Sequence, residues 1–354
     1  MFDLNELLTE LVERGGSDLH ITAGMPPVLR INGKLVQTDG PRLTPRDTKE
    51  LLYSILKQEQ REKLEREWEF DFAHALPGVA RFRVNAYFQR DSLGAAFRHI
   101  PVEISSFEEL GLPRIVGELC RKPRGFVLVT GPTGSGKSTT LASMVDCINR
   151  SEEVHIITVE DPIEYLHQHR KAVINQREVG VDTHSFSSAL KYILRQDPDV
   201  IMIGEMRDLE TVSAALTAAE TGHLVFATLH TQDAAQSIDR IIDVFPPYQQ
   251  QQVRIQLAGT LQGIISQQLL PTVDATGRVL ACEVLVPTSG IRNMIREGKT
   301  HQLLTAMQAG QQYGMVTMDQ SLADLHRRGL VTLDYALQRA IDPNILKTLL
   351  GRAP

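Results

Sequence analysis

The sequence feature that most constrains the fold is a glycine-rich segment, residues 131–138 (GPTGSGKS), which fits the pattern GxxxxGK[ST]. An apolar run of β-forming residues, 126–130, comes directly before it, and helix-forming residues follow from Ser138. In this context the glycines let backbone N–H groups close around β- and γ-phosphates, and the helix N-terminus adds its dipole. Lys137 adds a positive charge and Ser138 a hydroxyl for Mg²⁺. The sequence therefore predicts a strand–loop–helix unit that binds a nucleoside triphosphate.

Short apolar runs separated by helical stretches continue along the chain. They span residues 126–130, 155–159, 200–203 and 224–229. Strands of this kind, joined by helices, are typical of a parallel sheet that helices cover on both faces. Beyond Pro246-Pro247 we expect mostly helix. The fold class predicted for this part of the chain is α/β.

The first hundred residues predict a small α+β unit. A helical leucine stripe, Leu4 to Leu11, ends at Gly15-Gly16, and Asn32-Gly33 suits a two-residue hairpin between strands 28–31 and 34–37. Thr44 is the expected N-cap of a helix that runs to about Glu67.

Residues 79–90 alternate between apolar and polar side chains, as in a strand with one buried face. Arg81 and Arg83 share the polar face, and Arg98 on the next strand can join them. Two interpretations remain open. The arginines form a solvated face, or they form a guanidinium cluster that reaches phosphate across a domain or subunit boundary.

A length of 354 residues favours two domains. We expect the first at residues 1–100, a connector at 101–116 and the second at 117–354, with a helical C-terminal region from about residue 289. The connector includes a short helix capped by Ser106 and Glu109.

Two acidic segments follow predicted strands. One is residues 160–164 (EDPIE), and the other places Glu205 after Gly204, the position where many P-loop proteins carry the metal-side Asp. Carboxyl ends of strands are where open α/β sheets bind ligands. We expect one acid to orient or deprotonate water and the other to hold Mg²⁺ directly or through water. Glu164 and Glu205 both remain candidates for the general base.

His223 and His230 bracket the predicted strand 224–229. His230 falls at the end nearest the nucleotide, where it can sense the γ-phosphate. His223 lies near the opposite end, and a purely packed, hydrogen-bonded role for it stays open.

Composition narrows the function and the location. Lys and Arg total 37 against 43 Asp and Glu, a net charge of −6 with no basic block, which argues against nucleic acid as a partner. The three cysteines are too dispersed for a zinc ribbon or a disulfide framework, which fits a reducing cytosol. No signal peptide and no run of about 18 apolar residues is present, so we expect membrane association only through partners.

Taken together, these motifs resemble the PilT family of type IV pilus retraction ATPases, within the secretion ATPase superfamily. The resemblance implies a RecA-like P-loop ATPase core, a PAS-like N-terminal domain and a homohexameric ring with each nucleotide between subunits. It implies ATP and Mg²⁺ as ligands, with Ser138 and Glu205 on the metal side. The nucleotide-binding residues that it implies are Gly131, Pro132, Thr133, Gly134, Ser135, Gly136, Lys137, Ser138, Thr139, His223 and His230. The catalytic residues that it implies are Glu164, Glu205, Lys137, Arg81, Arg83, Arg98 and His230.

The resemblance also predicts a function. We expect a cytoplasmic motor ATPase at the inner membrane that drives pilus retraction through a platform protein, with a sister retraction ATPase as a further candidate partner. The alternatives are a pilus extension or type II secretion ATPase, which usually carries a tetracysteine zinc insert and a further N-terminal domain, a RecA-like nucleic-acid translocase, and a non-enzymatic accessory paralogue.

Residues 291–297 (IRNMIRE) are similar to a family segment usually written AIRNLIRE, with Gly290 in place of its alanine. Helical spacing puts Ile291, Met294 and Ile295 on one apolar stripe. The basic residues on the other face are Arg292, Arg296 and Lys299. This face is either an ordinary solvated surface or a surface needed for retraction rather than hydrolysis.

Overall fold

The computed structural model of the chain describes residues 2–31, 33–100, 103–274 and 277–351. It divides into two compact units. The first comprises Met1–Glu103 and Glu164–Leu166, and the second comprises Ile104–Ile163 and His167–Pro354. The division after Glu103 falls inside the predicted connector, of which Pro101 and Val102 lie outside the described residues.

The first unit is an antiparallel sheet with three helices, which confirms the predicted α+β class. The strands occur in the order β3-β2-β1-β6-β5-β4. They are β1 (Gly16–Ile21), β2 (Val28–Ile31), β3 (Lys34–Gln37), β4 (Glu69–Leu76), β5 (Ala80–Gln89) and β6 (Ser92–Ile100). The helices are α1 (Leu4–Glu13), α2 (Pro45–Ile55) and α3 (Gln58–Glu67).

The predicted elements of this unit are largely confirmed. The leucine stripe of α1 is buried, and β2 pairs with β3 from Val28↔Gln37 to Ile31↔Lys34. The hairpin residue Asn32 lies outside the described residues. Thr44 caps α2, as expected.

The single helix predicted to run to about Glu67 is wrong. Leu56 and Lys57 are extended and separate α2 from α3. The backbone turns there because Leu56, only 3% exposed, packs into the core, and the Gln60 side chain accepts the Lys57 N–H at the start of the next helix.

The second unit is built on a seven-stranded sheet in the order β13-β12-β7-β11-β10-β8-β9. Six strands are parallel, and β13 pairs antiparallel with β12 at one edge. The strands are β7 (Gly125–Thr130), β8 (His155–Glu160), β9 (Val173–Glu178), β10 (Val200–Ile203), β11 (Leu224–Leu229), β12 (Leu261–Pro271) and β13 (Arg278–Leu285). The helices are α4 (Phe107–Leu110), α5 (Ile115–Cys120), α6 (Lys137–Ser151), α7 (Phe186–Ile193), α8 (Leu209–Glu220), α9 (Ala234–Asp243), α10 (Pro247–Thr260), α11 (Ser289–Glu297), α12 (Leu303–Gln308), α13 (Met318–Arg327), α14 (Leu333–Arg339) and α15 (Pro343–Leu349).

The central strands are apolar throughout because both faces of the sheet are covered. Phe126 and Leu128 of β7 pack into one hydrophobic cluster, and Val127 and Val129 pack into another. The first cluster contains residues of α8, α9 and α10, and the second contains residues of α5 and α6. This arrangement confirms the predicted α/β class with helices on both faces. The short helix α4 is capped by Ser106 and Glu109, as predicted.

The prediction that the chain is mostly helical after Pro246-Pro247 is wrong for β12 and β13. β12 pairs directly with β7, so it lies inside the sheet. The buried polar residues Ser266 and Gln267 interrupt its apolar pattern, which is why the sequence did not indicate a core strand. The edge strand β9 was also not anticipated.

Among the described residues, no helix combines the length and the apolar character that a membrane crossing requires.

Candidate nucleotide-binding site

The glycine-rich loop connects β7 to α6, as its motif predicts. Gly131 has φ +143°, and a Cβ there would lie 2.4 Å from the Gln267 carbonyl oxygen and 2.6 Å from Ser135 Oγ. Only glycine fits so close an approach of backbone to backbone. Gly136 is left-handed, with φ +91°, and directly precedes α6. The loop conformation therefore depends on glycine at both positions.

The Lys137 side chain lies along the loop and is 9% exposed. Its ammonium group donates to the carbonyl oxygens of Gly131, at 2.8 Å, and Pro132, at 3.1 Å. A buried ammonium needs such acceptors because desolvation of its charge is costly. The contacts hold the cation against the backbone that is expected to surround the phosphates.

A second observation indicates that the loop can bind a phosphate group. Ser135 is 3% exposed, and its hydroxyl has no hydrogen-bond partner among the described residues. Buried polar groups are normally hydrogen-bonded, and a phosphate oxygen is a suitable acceptor for this hydroxyl. Thr133 and Gly134 are exposed at the tip of the loop, and Ser138 and Thr139 are half-buried in the first turn of α6.

Strand β12 supports the loop from the side, a feature that sequence reasoning missed. Ser266 Oγ accepts a hydrogen bond of 2.9 Å from Thr130 Oγ1, and Gln267 Nε2 donates to Thr140 Oγ1 at 2.7 Å. These bonds tie β12 to the last residue of β7 and to the first turns of α6. Three polar residues, 266–268, set between two Ile and two Leu residues were the signal that could have indicated a strand here.

One edge of the sheet gathers most of the predicted site. The strands β7, β11, β10 and β8 are neighbours and run parallel, so their carboxyl ends meet. The glycine-rich loop follows β7, His230 follows β11, Glu205 lies two residues after β10 and Glu160 ends β8. This is the edge at which open α/β sheets bind ligands.

Glu205 is held between two cationic or potentially cationic groups. Its Oε1 lies 3.0 Å from His230 Nε2, and its Oε2 accepts a 2.7 Å hydrogen bond from Arg207. The hydrogen bond from Arg207 keeps the pKa of Glu205 below its usual value, against the opposing effect of partial burial. Glu205 is therefore a carboxylate at neutral pH. The sequence did not predict the contact with His230 or the role of Arg207, since no spacing rule links them.

Gly204 explains why the acid lies one position later than in many P-loop proteins. A Cβ on Gly204 would lie 3.3 Å from both the Glu160 Cα and the Val159 carbonyl oxygen. The neighbouring strand leaves little room for a side chain at that position, so the carboxylate is carried by Glu205.

The two acids of the 160–164 segment have different surroundings. Glu160 is 7% exposed, and it accepts hydrogen bonds from Thr158 Oγ1 at 2.6 Å and from Gln176 Nε2 at 3.1 Å. Glu164 is exposed, in a stretch without regular secondary structure after β8. The role of Glu164 stays a prediction.

His223 lies directly before β11, at the edge of the sheet opposite the glycine-rich loop. Its Nδ1 is 2.9 Å from the Ala218 carbonyl oxygen and 3.3 Å from Thr221 Oγ1. Within one chain these contacts fit a packed, hydrogen-bonded histidine. A contact with nucleotide would have to come from another copy of the chain, and it stays a prediction.

The three predicted arginines lie in the first unit. Cross-strand pairing puts Arg30, Asp18, Arg98 and Arg83 in one row across β2, β1, β6 and β5, on the same face of the sheet. Arg98 Nε donates to Asp18 Oδ1 at 2.9 Å. Arg81 is half-buried two residues along the same face, and Arg83 is exposed. This row of four residues is therefore basic, with one buried carboxylate in it.

The fold and the site together define the class of protein to which the chain belongs. A glycine-rich loop after a central parallel strand, with a carboxylate and a histidine at the same edge, belongs to a P-loop nucleotide-binding ATPase with a RecA-like core.

Comparisons with known proteins place the chain within that class. The family described as type II/IV secretion system protein matches residues 104–276. The chain is 49% identical to the type IV pilus retraction ATPase PilT of Pseudomonas aeruginosa, over 96% of this chain and 99% of that protein. It is 44% identical to the type IV pilus ATPase PilU of the same organism, over 98% and 91%. A crystal structure of the pilus retraction motor PilT with bound ADP matches with a TM-score of 0.93 and 53% identity, covering 98% of this chain and 100% of that one.

This chain belongs to the PilT family of type II/IV secretion ATPases, which confirms the resemblance found in its sequence. It is an ATP-binding enzyme of that family. The nucleic-acid translocase is not favoured.

Proposed function

We propose that this protein is a homohexameric motor that hydrolyses ATP, with Mg²⁺, to drive type IV pilus retraction. The observation that carries the proposal is the ionised Glu205, held between His230 and Arg207, at the sheet edge where the glycine-rich loop lies. The similarity to PilT covers almost the whole chain, and it supplies the pilus as the object of the work.

The residues have separate roles in this proposal. Lys137 and the loop N–H groups bind the phosphates, and Ser138 offers its hydroxyl to Mg²⁺. The metal ion, when bound with the nucleotide, neutralises phosphate charge. Glu205 orients the attacking water. Its lowered pKa makes it a weak base, so orientation suits it better than full proton abstraction. Glu164 remains the other candidate for the base.

The arginine-rich row of the first unit supports a role for arginine between subunits. We place Arg81, Arg83 and Arg98 near the nucleotide of a neighbouring copy, where a guanidinium group stabilises charge that develops during hydrolysis. Arg98 already bonds to Asp18, whereas Arg83 is exposed beside it. Arg83 is therefore the strongest candidate of the three. Closure of the interface would then couple hydrolysis to rigid-body motion.

The partners in this proposal are those of a pilus machine. The hexamer would act at the cytoplasmic face of the inner membrane on a platform protein, with a sister ATPase such as the similar PilU as a second motor.

Deletion of the gene separates retraction from extension. We expect cells that carry excess surface pili and do not move by twitching, because assembly continues without disassembly. Electron microscopy of surface pili and a twitching assay on the same strain measure both effects. Re-expression of the intact gene is the control. Bald cells would assign the protein to extension instead.

The segment 289–299 gives a second prediction, which separates pilus retraction from ATP hydrolysis. The apolar stripe is confirmed, since Ile291 and Ile295 are 1% and 0% exposed. Arg292 does not simply face solvent, as the spacing suggested. Its Nη1 donates to the carbonyl oxygens of Ala258 and Gly259 at the end of α10, which have no partner inside that helix. Arg296 is exposed.

We expect Arg296→Ala to abolish twitching while ATPase activity and melting temperature stay unchanged. Arg292→Ala should also lower the stability by about 1–2 kcal/mol, since it removes a charged donor from a helix C-terminus. Thermal unfolding, phosphate release and twitching measure these effects, with Arg339→Ala, at an exposed position of α14, as the control. Loss of hydrolysis in Arg296→Ala would show that the segment serves the ATPase reaction itself.

A further inference from the structure

Glu283 is a buried acid that none of the proposed catalytic steps uses. It lies in β13 within the apolar sequence Ala281–Leu285 and is 2% exposed. A glutamate is almost never so deeply buried unless its charge is paired. No ion pair in the described part of the chain includes it, and the charges that act on it are the carboxylates of Asp233 and Asp319. The hydrogen bonds of Glu283 must therefore offset the cost of burying its carboxylate.

Those hydrogen bonds join two helices. Oε1 accepts the N–H of Ala234, the first residue of α9, at 2.9 Å. Oε2 accepts the N–H of Met318, the first residue of α13, at 3.3 Å. Each helix also has its own capping side chain, Asp233 for α9 and Thr317 for α13, which accepts an N–H further along the first turn. One carboxylate therefore completes the capping of two helix N-termini, where the helix dipoles favour negative charge.

One of these two helices begins beside the nucleotide edge. Only residues 231–233 separate His230 from α9. Thr231 Oγ1 lies 2.7 Å from Ser237 Oγ in the first turns of α9, and Ser237 Oγ lies 3.5 Å from Thr130 Oγ1 at the end of β7. The start of α9 is thus tied to the His230 loop and to the strand that leads into the glycine-rich loop.

The other helix belongs to the C-terminal helical region. α13 packs with α14 and α15 in a separate hydrophobic cluster that includes Leu322, Ala336 and Leu346. Its start is fixed to β13 by a backbone bridge between Val284 and Val316. The contact of Glu283 with α9 therefore links a firmly attached C-terminal region to the His230 loop.

We propose that Glu283 is a positioning residue that holds the start of α9, and with it the His230 loop, against the C-terminal helices. Changes at the His230–Glu205 contact would then be passed to α13 through this carboxylate. The inference rests on the proposed ATPase function for its kinetic consequence, but the hydrogen-bonded link itself does not depend on that function.

The protonation of Glu283 makes the strength of this link depend on pH. Burial raises the pKa of Glu283 to about 7, and Asp233 and Asp319 add to that effect. Protonation removes one of its two acceptor sites, so the link weakens as pH falls below 7. The stability of the folded state has the opposite pH dependence to the strength of the link. An unfolded glutamate ionises near its ordinary pKa of 4.5, so the folded state loses stability as pH rises from that value through about 7.

The test is Glu283→Gln in the full-length chain, with Asp319→Asn as the matched control. Asp319 is equally buried and accepts the N–H groups of Ile341 and Asp342, and no hydrogen bond in the described part of the chain joins it to α9. Turnover of the two variants is compared at pH 8, because the charge of Asp319 also raises the pKa of Glu283 and Glu283 is ionised at that pH. For Glu283→Gln we expect kcat to fall about tenfold with KM for ATP changed less than about twofold, because positioning rather than binding is lost. The rise of kcat between pH 6 and 8 should flatten, and the fall in melting temperature between pH 4.5 and 7 should become smaller.

Amide hydrogen exchange provides a readout that needs no hydrolysis. The amides at the start of α9 should exchange about tenfold faster in Glu283→Gln and remain protected in Asp319→Asn. Unchanged exchange at α9, or an equal loss of kcat in the two variants, would overturn the inference. A wild-type protein without ATPase activity would refute the proposed function, and the exchange measurement would still decide whether the link exists.

Discussion

Lys137→Ala should reduce ATP hydrolysis by on the order of 100-fold or more, because it removes a preorganised cation from the position where phosphate charge develops. The fold should persist. The side chain contacts the loop carbonyls of Gly131 and Pro132 rather than a hydrophobic cluster, and removal of a buried ammonium relieves a desolvation cost. Phosphate release, ATP binding and thermal unfolding of the purified variant measure these effects.

A matched control is Lys191→Ala, which removes an exposed lysine from the last turn of α7. It should leave hydrolysis unchanged. In cells, Lys137→Ala should fail to restore twitching to a deletion strain, whereas Lys191→Ala should restore it. Restoration by Lys137→Ala would show that nucleotide turnover is not needed for the biological function.

Glu205→Gln should lower kcat by about 10²- to 10⁴-fold while ATP binding is retained. The amide removes the negative charge, and it can no longer accept hydrogen bonds from both His230 and Arg207. The variant should therefore hold ATP without hydrolysing it. Nucleotide binding by calorimetry and single-turnover phosphate release separate the two steps.

The control for this change is Glu210→Gln, which makes the same chemical replacement at an exposed position in the first turn of α8.

The pKa of Glu205 also predicts how activity depends on pH. Its pKa is lowered, so the stabilisation from its contacts is present above the ordinary glutamate pKa of 4.5 and is lost only as pH falls through the lower folded value. Glu205 should therefore cause no loss of activity between pH 6 and 8. A Glu205→Gln enzyme with wild-type turnover would shift the base role to Glu164.

The parts of the site that could be predicted from sequence are those set by local conformation. The glycine pattern fixes the loop between β7 and α6, and parallel strands bring their following residues to one edge, so Glu205 and His230 were placed correctly. The face of β5 was also predictable, since side chains alternate along a strand.

The parts that were missed depend on tertiary packing. Ser266 and Gln267 are polar side chains in the core, and their hydrogen bonds to Thr130 and Thr140 make a buried strand acceptable there. A periodicity argument scores them as surface residues. The same periodicity argument assigns Glu283 to the surface, although an acid inside an otherwise apolar strand is itself a signal of a specific buried contact.

The pairing of β7 also determines when the nucleotide site can be assembled on the ribosome. Its two neighbours are β11 and β12, which begin only at Leu224 and Leu261. A nascent chain that has emerged only as far as α6 carries the complete glycine-rich motif without either strand that flanks β7. Such long-range pairing slows folding and leaves apolar strands exposed during synthesis. We therefore expect the growing polypeptide to gain affinity for ATP late, once β12 has left the exit tunnel, and to depend on chaperones until then.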